Sequence, residues 1–351
     1  TVASFAALTL VAAFGLPRLD TDPSLLSYFA RGGDLREGLE AIDDAGGSSP
    51  LSLVATDGEG LGFDQPAAAE RLAAAQAALE ADPAVGTTLS LAVVLEEARR
   101  VPLASFLPLP QLLNLLSGPA YQNVARGFVT DDRKDALFLL RMRESTERGS
   151  RLAEVDRLRN TLRANGLEPR LVGGLYALQG QLSALVARSL LLGLGALILL
   201  FLGIAAVVAR ELRTAAAMVL CLLALPILIL GTLGWLERPL DVIASPSANV
   251  ALALGIDSMI HLVVRRRRLR AEGLGVGESW TAARHQMALP IAGAALVIGA
   301  GFGIFGLSSF PPTRNFGLAV VVGTLAAAAL ALFVLPRLAG GGEDRESAPD
   351  S

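Results

Sequence analysis

An aspartate and a histidine interrupt an apolar stretch, residues 249–268, that is long enough to cross a bilayer. A carboxylate near the centre of a spanning helix costs about 2.5–3.5 kcal/mol on insertion scales, so Asp257 is expected to face a bundle interior or a water-filled path. His261 follows at i+4 and shares its helix face. Such an acid can change between a charged and a neutral state as its hydration changes, which makes proton transport the predicted chemistry. Ser258 and His261 are the predicted hydrogen-bond partners along the proton path.

Each of these residues also has a purely structural interpretation. Asp257 could be a neutral carboxyl group that holds a neighbouring helix by a hydrogen bond. His261 could anchor its helix at the membrane interface, with no part in proton movement. The sequence favours the proton carrier for Asp257 and leaves the role of His261 open.

The composition excludes most other chemistry. The chain is 52% hydrophobic with a mean hydropathy of +0.52, which is typical of an integral membrane protein. A net charge of -3 does not indicate a nucleic-acid partner. Two histidines and one cysteine, far apart in the sequence, indicate no zinc site. We therefore expect no enzyme activity, no cofactor and no bound metal.

Two further groups of residues have predicted structural roles. Four glycines supply small surfaces for close helix packing: Gly293, Gly299, Gly303 and Gly306. Residues 301–306 also match the dinucleotide-binding glycine pattern, but they lie within an apolar run rather than between a strand and a helix. Four arginines are predicted to anchor their helix by reaching lipid headgroups: Arg265, Arg266, Arg267 and Arg268.

Six apolar runs are expected to form membrane spans. Residues 1–17 are predicted to be a first transmembrane helix that is truncated at its start, with a cleaved signal peptide as the alternative. Residues 181–338 are predicted to form a five-helix bundle, with spans at 189–209, 214–236, 242–264, 286–310 and 315–336. Arginine-rich loops on one side indicate the cytoplasm. Residues 339–351 are predicted to be a disordered cytoplasmic tail.

Residues 18–180 are polar and acidic, and they lie between the first and second predicted spans, so they are predicted to be extracytoplasmic. Predicted strands at 50–56, 85–90, 136–142 and 168–172, with helices at 66–79 and 150–164, give the order βαββαβ of a ferredoxin-like α+β domain. Residues 127–130 are expected to pair with the third strand as a hairpin. The Pro/Leu-rich residues 101–118 are expected to form a loop.

The sequence around Asp257 resembles one transporter family, the resistance–nodulation–division (RND) superfamily, and within it the MMPL-like predicted exporters. Residues 253–262, Ala-Leu-Gly-Ile-Asp-Ser-Met-Ile-His-Leu, resemble the fourth span of that family, in which an acidic residue carries the coupling proton. Residues 16–23 resemble its exit from the first span, and residues 310–317 and 334–336 resemble its last connection and its closing end. The resemblance implies one span, a large extracytoplasmic porter-type domain and five more spans.

The chain departs from this family in two ways. Ser258 stands where a tyrosine usually follows the acidic residue. The family duplicates its six-span unit, and only one half is found here. The resemblance therefore implies a second six-span half, supplied by the same chain, a homodimer or a partner protein, with sites at the repeat interface.

The predicted function is a proton-coupled secondary transporter in the cell (inner) membrane that exports a hydrophobic or amphiphilic substrate, such as a lipid. One alternative is a non-transporting membrane receptor or scaffold, like the sterol-sensing members of the same fold. Another is an accessory protein for protein translocation, whose outer domain would contact polypeptide. Proton flux separates the first from the second, and crosslinking to polypeptide would detect the third.

Overall fold

The computed structural model describes residues 2–102, 106–121, 124–144 and 149–340. In chain order, its α-helices and strands are α1 (Val2–Ala13), α2 (Asp34–Gly46), β1 (Ser49–Asp57), α3 (Pro66–Glu80), β2 (Val85–Leu89), α4 (Leu91–Arg99), α5 (Leu109–Leu116), β3 (Asp135–Met142), α6 (Arg151–Ala164), β4 (Leu167–Gly173), α7 (Leu175–Ala209), α8 (Leu212–Trp235), α9 (Ser247–Ala271), α10 (Val276–Gly303), α11 (Pro311–Ala329) and α12 (Leu335–Gly340). A π-helical segment, Leu330–Val334, joins α11 to α12. The predicted tail falls mostly on residues 341–351, which lie outside the described residues.

The chain divides into two compact units. One unit, the helical unit, consists of residues 1–23 and 183–351, and the other, the sheet unit, consists of residues 24–182. Sequence reasoning places its divisions after residues 17 and 180, six and two residues earlier in the chain.

The sheet unit contains a small four-stranded antiparallel sheet in the order β2-β3-β1-β4. Alternate residues of β1 are buried, because successive side chains of a strand point to opposite faces. Helices α3 and α6 each follow a strand, and both bury leucines in the same core as β1. Ser150 caps α6 by accepting a hydrogen bond from the backbone N–H of Ala153.

One sequence expectation in this unit is wrong. Residues 109–116 form helix α5 rather than part of a loop, because its leucines recur at helical spacing and four of them are buried in the core: Leu109, Leu112, Leu113 and Leu116. The expected hairpin is present in short form, as an antiparallel bridge between Val129 and Ala136. Backbone N–H groups of Leu137 and Thr130 donate across it. Residues 124–127, just before that bridge, form a 3-10 helix.

A buried carboxylate fixes the turn that follows β1. Asp57 accepts hydrogen bonds from the backbone N–H groups of Glu59 and Leu61 and from Arg71 Nε at 2.7 Å. Burial acts to raise the pKa of Asp57, but these hydrogen bonds and the Arg71 charge outweigh it, so the pKa lies below its ordinary value. The ionised carboxylate therefore ties β1 to α3.

Among the described residues, five helices are long and apolar enough to cross a membrane: Leu175–Ala209, Leu212–Trp235, Ser247–Ala271, Val276–Leu307 and Pro311–Gly340. The first begins in the sheet unit, and the rest of that helix and the other four belong to the helical unit. A shorter apolar helical stretch, Val2–Arg18, precedes them. Most of the helices are longer than the predicted spans, because hydropathy marks only the apolar part of a helix. Helix α9 continues through its arginines and ends just before Gly273, whose φ of 99° suits a glycine.

Close helix packing in this unit occurs at glycines that the sequence did not single out. A Cβ added at Gly231 of α8 would overlap the carbonyl oxygen of Ala12 in α1, and one at Gly323 of α11 would overlap Ala251 of α9. The predicted packing glycines of α10 and the turn after it have more space. Among the described atoms, an added Cβ would meet nothing within 4 Å at Gly293, Gly299 or Gly306. At Gly303 it would meet only Val321, at 4.0 Å. Any packing role of these four therefore lies outside the described contacts and stays a prediction.

Candidate functional site

The two ionisable residues of α9 form a pair on the surface of the helical unit. Asp257 is the eleventh residue of the 25-residue helix, and its Oδ1 lies 3.5 Å from His261 Nε2. Their side chains are 69% and 63% exposed. Within this chain Asp257 therefore does not face the interior of the bundle, since α9 buries its opposite face against α8 and α11. The other expected setting, a water-filled path, stays a prediction.

Ser258, the other predicted hydrogen-bond partner of Asp257, bonds to its own helix backbone instead. Ser258 Oγ donates a hydrogen bond to the carbonyl oxygen of Leu254 at 3.0 Å, one turn earlier in the same helix. A serine inside a spanning helix satisfies its hydroxyl group in this way. In this arrangement Ser258 is not bonded to Asp257, and its oxygen keeps only its capacity to accept.

The surface next to the pair on α10 is apolar. Helices α9 and α10 are joined by four residues, which makes them an antiparallel pair, and Arg265 Nε donates to Gln286 Oε1 near the joined ends. Counting about 1.5 Å per residue from that contact places His261 level with Pro290 and Asp257 level with Ala294. Residues 287–303 contain no charged side chain, so α10 offers Asp257 no ionic partner at this level.

The arginines that follow the pair do not act alike. Arg266 is 2% exposed, its Nη1 lies 2.6 Å from Glu211 Oε2, and its guanidinium lies 5.1 Å from the centre of the Trp280 ring. For Arg266 the predicted contact with lipid headgroups is wrong, because a side chain this buried cannot reach them. Arg267 donates to the carbonyl oxygen of Val208 at the end of α7. Arg268 is exposed, as an anchor requires.

Glu211 was missed by the sequence reading. It lies between α7 and α8, and its carboxylate also accepts a hydrogen bond from Thr214. Partial burial acts to raise its pKa, but the hydrogen bond and charge of Arg266 outweigh this and hold the pKa below its ordinary value. The available signal was an acidic residue within an arginine-rich loop, between Arg210 and Arg213.

Each unit also contains a cavity. In the helical unit, a groove of about 450 Å³ lies between α1, α8 and residues 330–338, and its lining is almost entirely apolar. In the sheet unit, a cavity of about 410 Å³ lies between α3 and α4, with alanines on its walls and Glu70, Glu80 and Glu96 at its lining. Both volumes lie within the range of about 300–1,000 Å³ that is usual for small-molecule sites.

Metal chemistry has no evident basis in the described part of the chain, where no group of three or more His, Cys, Asp or Glu side chains gathers. The single cysteine, Cys221, is buried in α8 and lines the apolar groove. The chemistry that the site residues support is the binding and release of a proton by Asp257 and His261.

Comparison with known proteins agrees with the fold. No curated protein matches the chain. The model of the MMPL family matches residues 36–345, which include the sheet unit from α2 onward and all five long apolar helices. The chain therefore belongs to the MMPL family of RND-superfamily transporters.

Proposed function

We propose that the protein is a proton-coupled secondary transporter that exports a hydrophobic or amphiphilic substrate, such as a lipid. The observation that carries the proposal is the Asp257–His261 pair, which lies in the middle of a spanning helix on a face that this chain leaves uncovered. Membership of the MMPL family supports a membrane transporter of hydrophobic substrates. Proton coupling and a lipid substrate are what we propose beyond this family-level function. No enzymatic step is part of the proposal.

A second six-span unit covers this face in the assembled transporter. Exposure of a carboxylate at mid-membrane to lipid would cost about 2.5–3.5 kcal/mol. The adjacent surface of α10 is apolar at the level of Asp257 and cannot repay that cost. A second unit, together with water held at the interface, supplies the polar surroundings that the pair needs.

The proton step follows from the geometry of the pair. A proton that enters from the outer side binds to a carboxylate oxygen of Asp257 and removes its charge. It then passes from Oδ1 to Nε2 of His261, which gives a carboxylate and an imidazolium side by side. His261 releases the proton toward the arginine end of α9, where Arg265 lies two turns beyond Asp257, about 12 Å along the helix. The change in charge alters how α9 packs against the second unit.

The rest of the chain is assigned accordingly. We propose that Val2–Arg18 belongs to a first span, which gives six spans with the five long helices. The arginine loops are then cytoplasmic, the membrane is the cell (inner) membrane, and the sheet unit is extracytoplasmic. The order and pairing of its strands fit the ferredoxin-like class. Its cavity between α3 and α4 is the proposed contact for substrate on that side.

Proton flux in proteoliposomes tests the proposal. With an imposed pH gradient and a pH-sensitive dye inside the vesicles, the unaltered protein should carry protons and Asp257→Asn should not. Glu237→Gln is the matched control, because it removes an exposed carboxylate in the loop between α8 and α9. Undiminished coupled export by Asp257→Asn would refute the proton-carrier role. Absence of flux from the unaltered protein would favour the receptor or scaffold.

A further inference from the structure

A cavity of about 250 Å³ lies at the arginine-rich end of the helical unit, away from Asp257. The start of α10 and the end of α12 form its walls, and its lining includes Trp280, Thr281, Arg284 and Arg337. We propose that this cavity binds a phosphate group, either that of an anionic lipid headgroup or a free phosphate ion. The proposal is independent of proton coupling.

The side chains that line the cavity carry positive charge, which favours the binding of an anion. The side chain of Arg284 forms no hydrogen bond or ion pair with another residue in the described ranges, and Arg337 commits one N–H to the carbonyl oxygen of Phe333 at 2.9 Å. Arg337 therefore keeps Nε–H and the Nη2 donors. None of the described residues that line the cavity is acidic. Two guanidinium groups at one small cavity match the geometry of a phosphate group, which accepts paired N–H donors.

Nearby carboxylates are already engaged. Glu278 accepts a hydrogen bond from the backbone N–H of Gly275 and so caps the first turn of α10. Glu211 binds Arg266 and Thr214. The positive charge of Arg284 and Arg337 is thus left for a ligand.

Trp280 supplies an independent observation. It is 3% exposed, one face of its ring lies against Arg266, and its Nε1 is buried without a hydrogen-bond partner among the described residues. Buried indole N–H groups usually have such a partner. The N–H edge lies beside Gly340, which also lines the cavity. A ligand that displaces Gly340 slightly would give this N–H an acceptor.

The size of the cavity indicates how much of a ligand enters. Sites that enclose a whole drug-sized molecule occupy about 300–1,000 Å³. A cavity of about 250 Å³ suits a headgroup or an inorganic ion, and the acyl chains of a lipid would remain outside it. The position at the end of the spans, beside the arginine loops, is where headgroups of a bilayer lie.

Tryptophan emission reports occupancy, because Trp280 is one of only two tryptophans. The purified full chain would be placed in phosphatidylcholine nanodiscs and titrated with inorganic phosphate, and in parallel with nanodiscs that contain increasing phosphatidylglycerol. The expected result is a saturable change in emission that Trp280→Phe abolishes. Arg284→Gln and Arg337→Gln should each weaken binding by about tenfold or more, since each removes a charge-assisted contact.

Arg268→Gln is the control, because it removes an exposed arginine of the same end that does not line the cavity. A response to phosphatidylglycerol alone supports a lipid source, and a response to both ligands shows that the phosphate group suffices. Equal weakening by all three arginine variants, or no response to either ligand, overturns the proposal. So does a change of Trp280 emission on deletion of residues 341–351 when neither ligand has an effect, because the acidic tail would then occupy the cavity.

Discussion

Replacement of Glu211 by glutamine should destabilise the helical unit, because it leaves the buried guanidinium of Arg266 without its carboxylate. The two groups are 2.6 Å apart, and Arg266 is buried while the Glu211 side chain is half exposed. Loss of one partner of a fully buried pair costs about 3–5 kcal/mol. Solvent screening of the half-exposed Glu211 lowers this cost. We therefore expect a loss of about 1.5–3 kcal/mol, the contribution of a charge-assisted hydrogen bond. For a unit of this size, that corresponds to a fall in Tm of roughly 3–12 °C.

Thermal unfolding of the detergent-solubilised protein measures this effect. The fluorescence of Trp280, whose ring contacts Arg266, reports the transition. The difference between the unaltered protein and Glu211→Gln should shrink on acidification. The folded-state pKa of Glu211 is depressed, so its contribution is complete above the unfolded pKa and is lost as pH falls through the folded one. Arg268→Gln, two residues from Arg266, should change stability by less than about 0.5 kcal/mol. Equal effects of these two variants would refute the internal role of Arg266.

Three further substitutions test other contacts, each by thermal unfolding. Asp57→Asn should cost the sheet unit about 1.5–3 kcal/mol, with a loss that fades as pH falls, because the pKa of Asp57 is depressed in the fold. Gly231→Ala should cost about 1–3 kcal/mol, because its new methyl group forces α8 away from Ala12. Asp241→Asn should raise Tm at neutral pH. Burial raises the pKa of this loop carboxyl, so its ionisation opposes folding once pH exceeds the unfolded value.

Matched variants define what would contradict these expectations. Asp156→Asn removes an exposed carboxylate of the sheet unit, and Gly195→Ala adds a methyl group where no described atom lies within 4 Å. Asp156→Asn should leave Tm nearly unchanged, and Gly195→Ala should not lower it, because alanine favours a helix more than glycine does. For Asp241→Asn, the gain should vanish near pH 3, where the carboxyl is protonated in both states. A gain that persists there would mean that its cause is not ionisation.

Patterns within single elements were readable from the sequence. The long apolar runs predicted five spanning helices, and alternation with turn residues predicted the four strands of the sheet unit. Helix α5 was missed because prolines at 102, 108 and 110 indicate a loop. Pro110 instead occupies the first turn of that helix, where a missing N–H costs nothing.

Contacts between elements were harder to predict. Spacing can place Arg265 to Arg268 at the end of a helix, but it cannot show which of them meets Glu211 across 55 residues. The same holds for the glycines: small residues were visible in α10, yet the closest approach is between α8 and α1. To identify the glycines that pack closely, one must know which helices are neighbours. The apolar composition of the spans does not provide this, because any two of them could pack together.

The position of Asp257 combines a feature that the sequence predicts with one that only the structure shows. Its residue type and depth follow from the sequence, and the structure adds that its helix face is open beside an apolar stretch of α10. An exposed carboxylate in that setting is unfavourable in lipid. The adjoining small residues Gly293 and Ala294 would let another helix approach closely. The exposure of Asp257 therefore supports the proposed second unit, because a lipid-facing position would leave this carboxylate without polar surroundings.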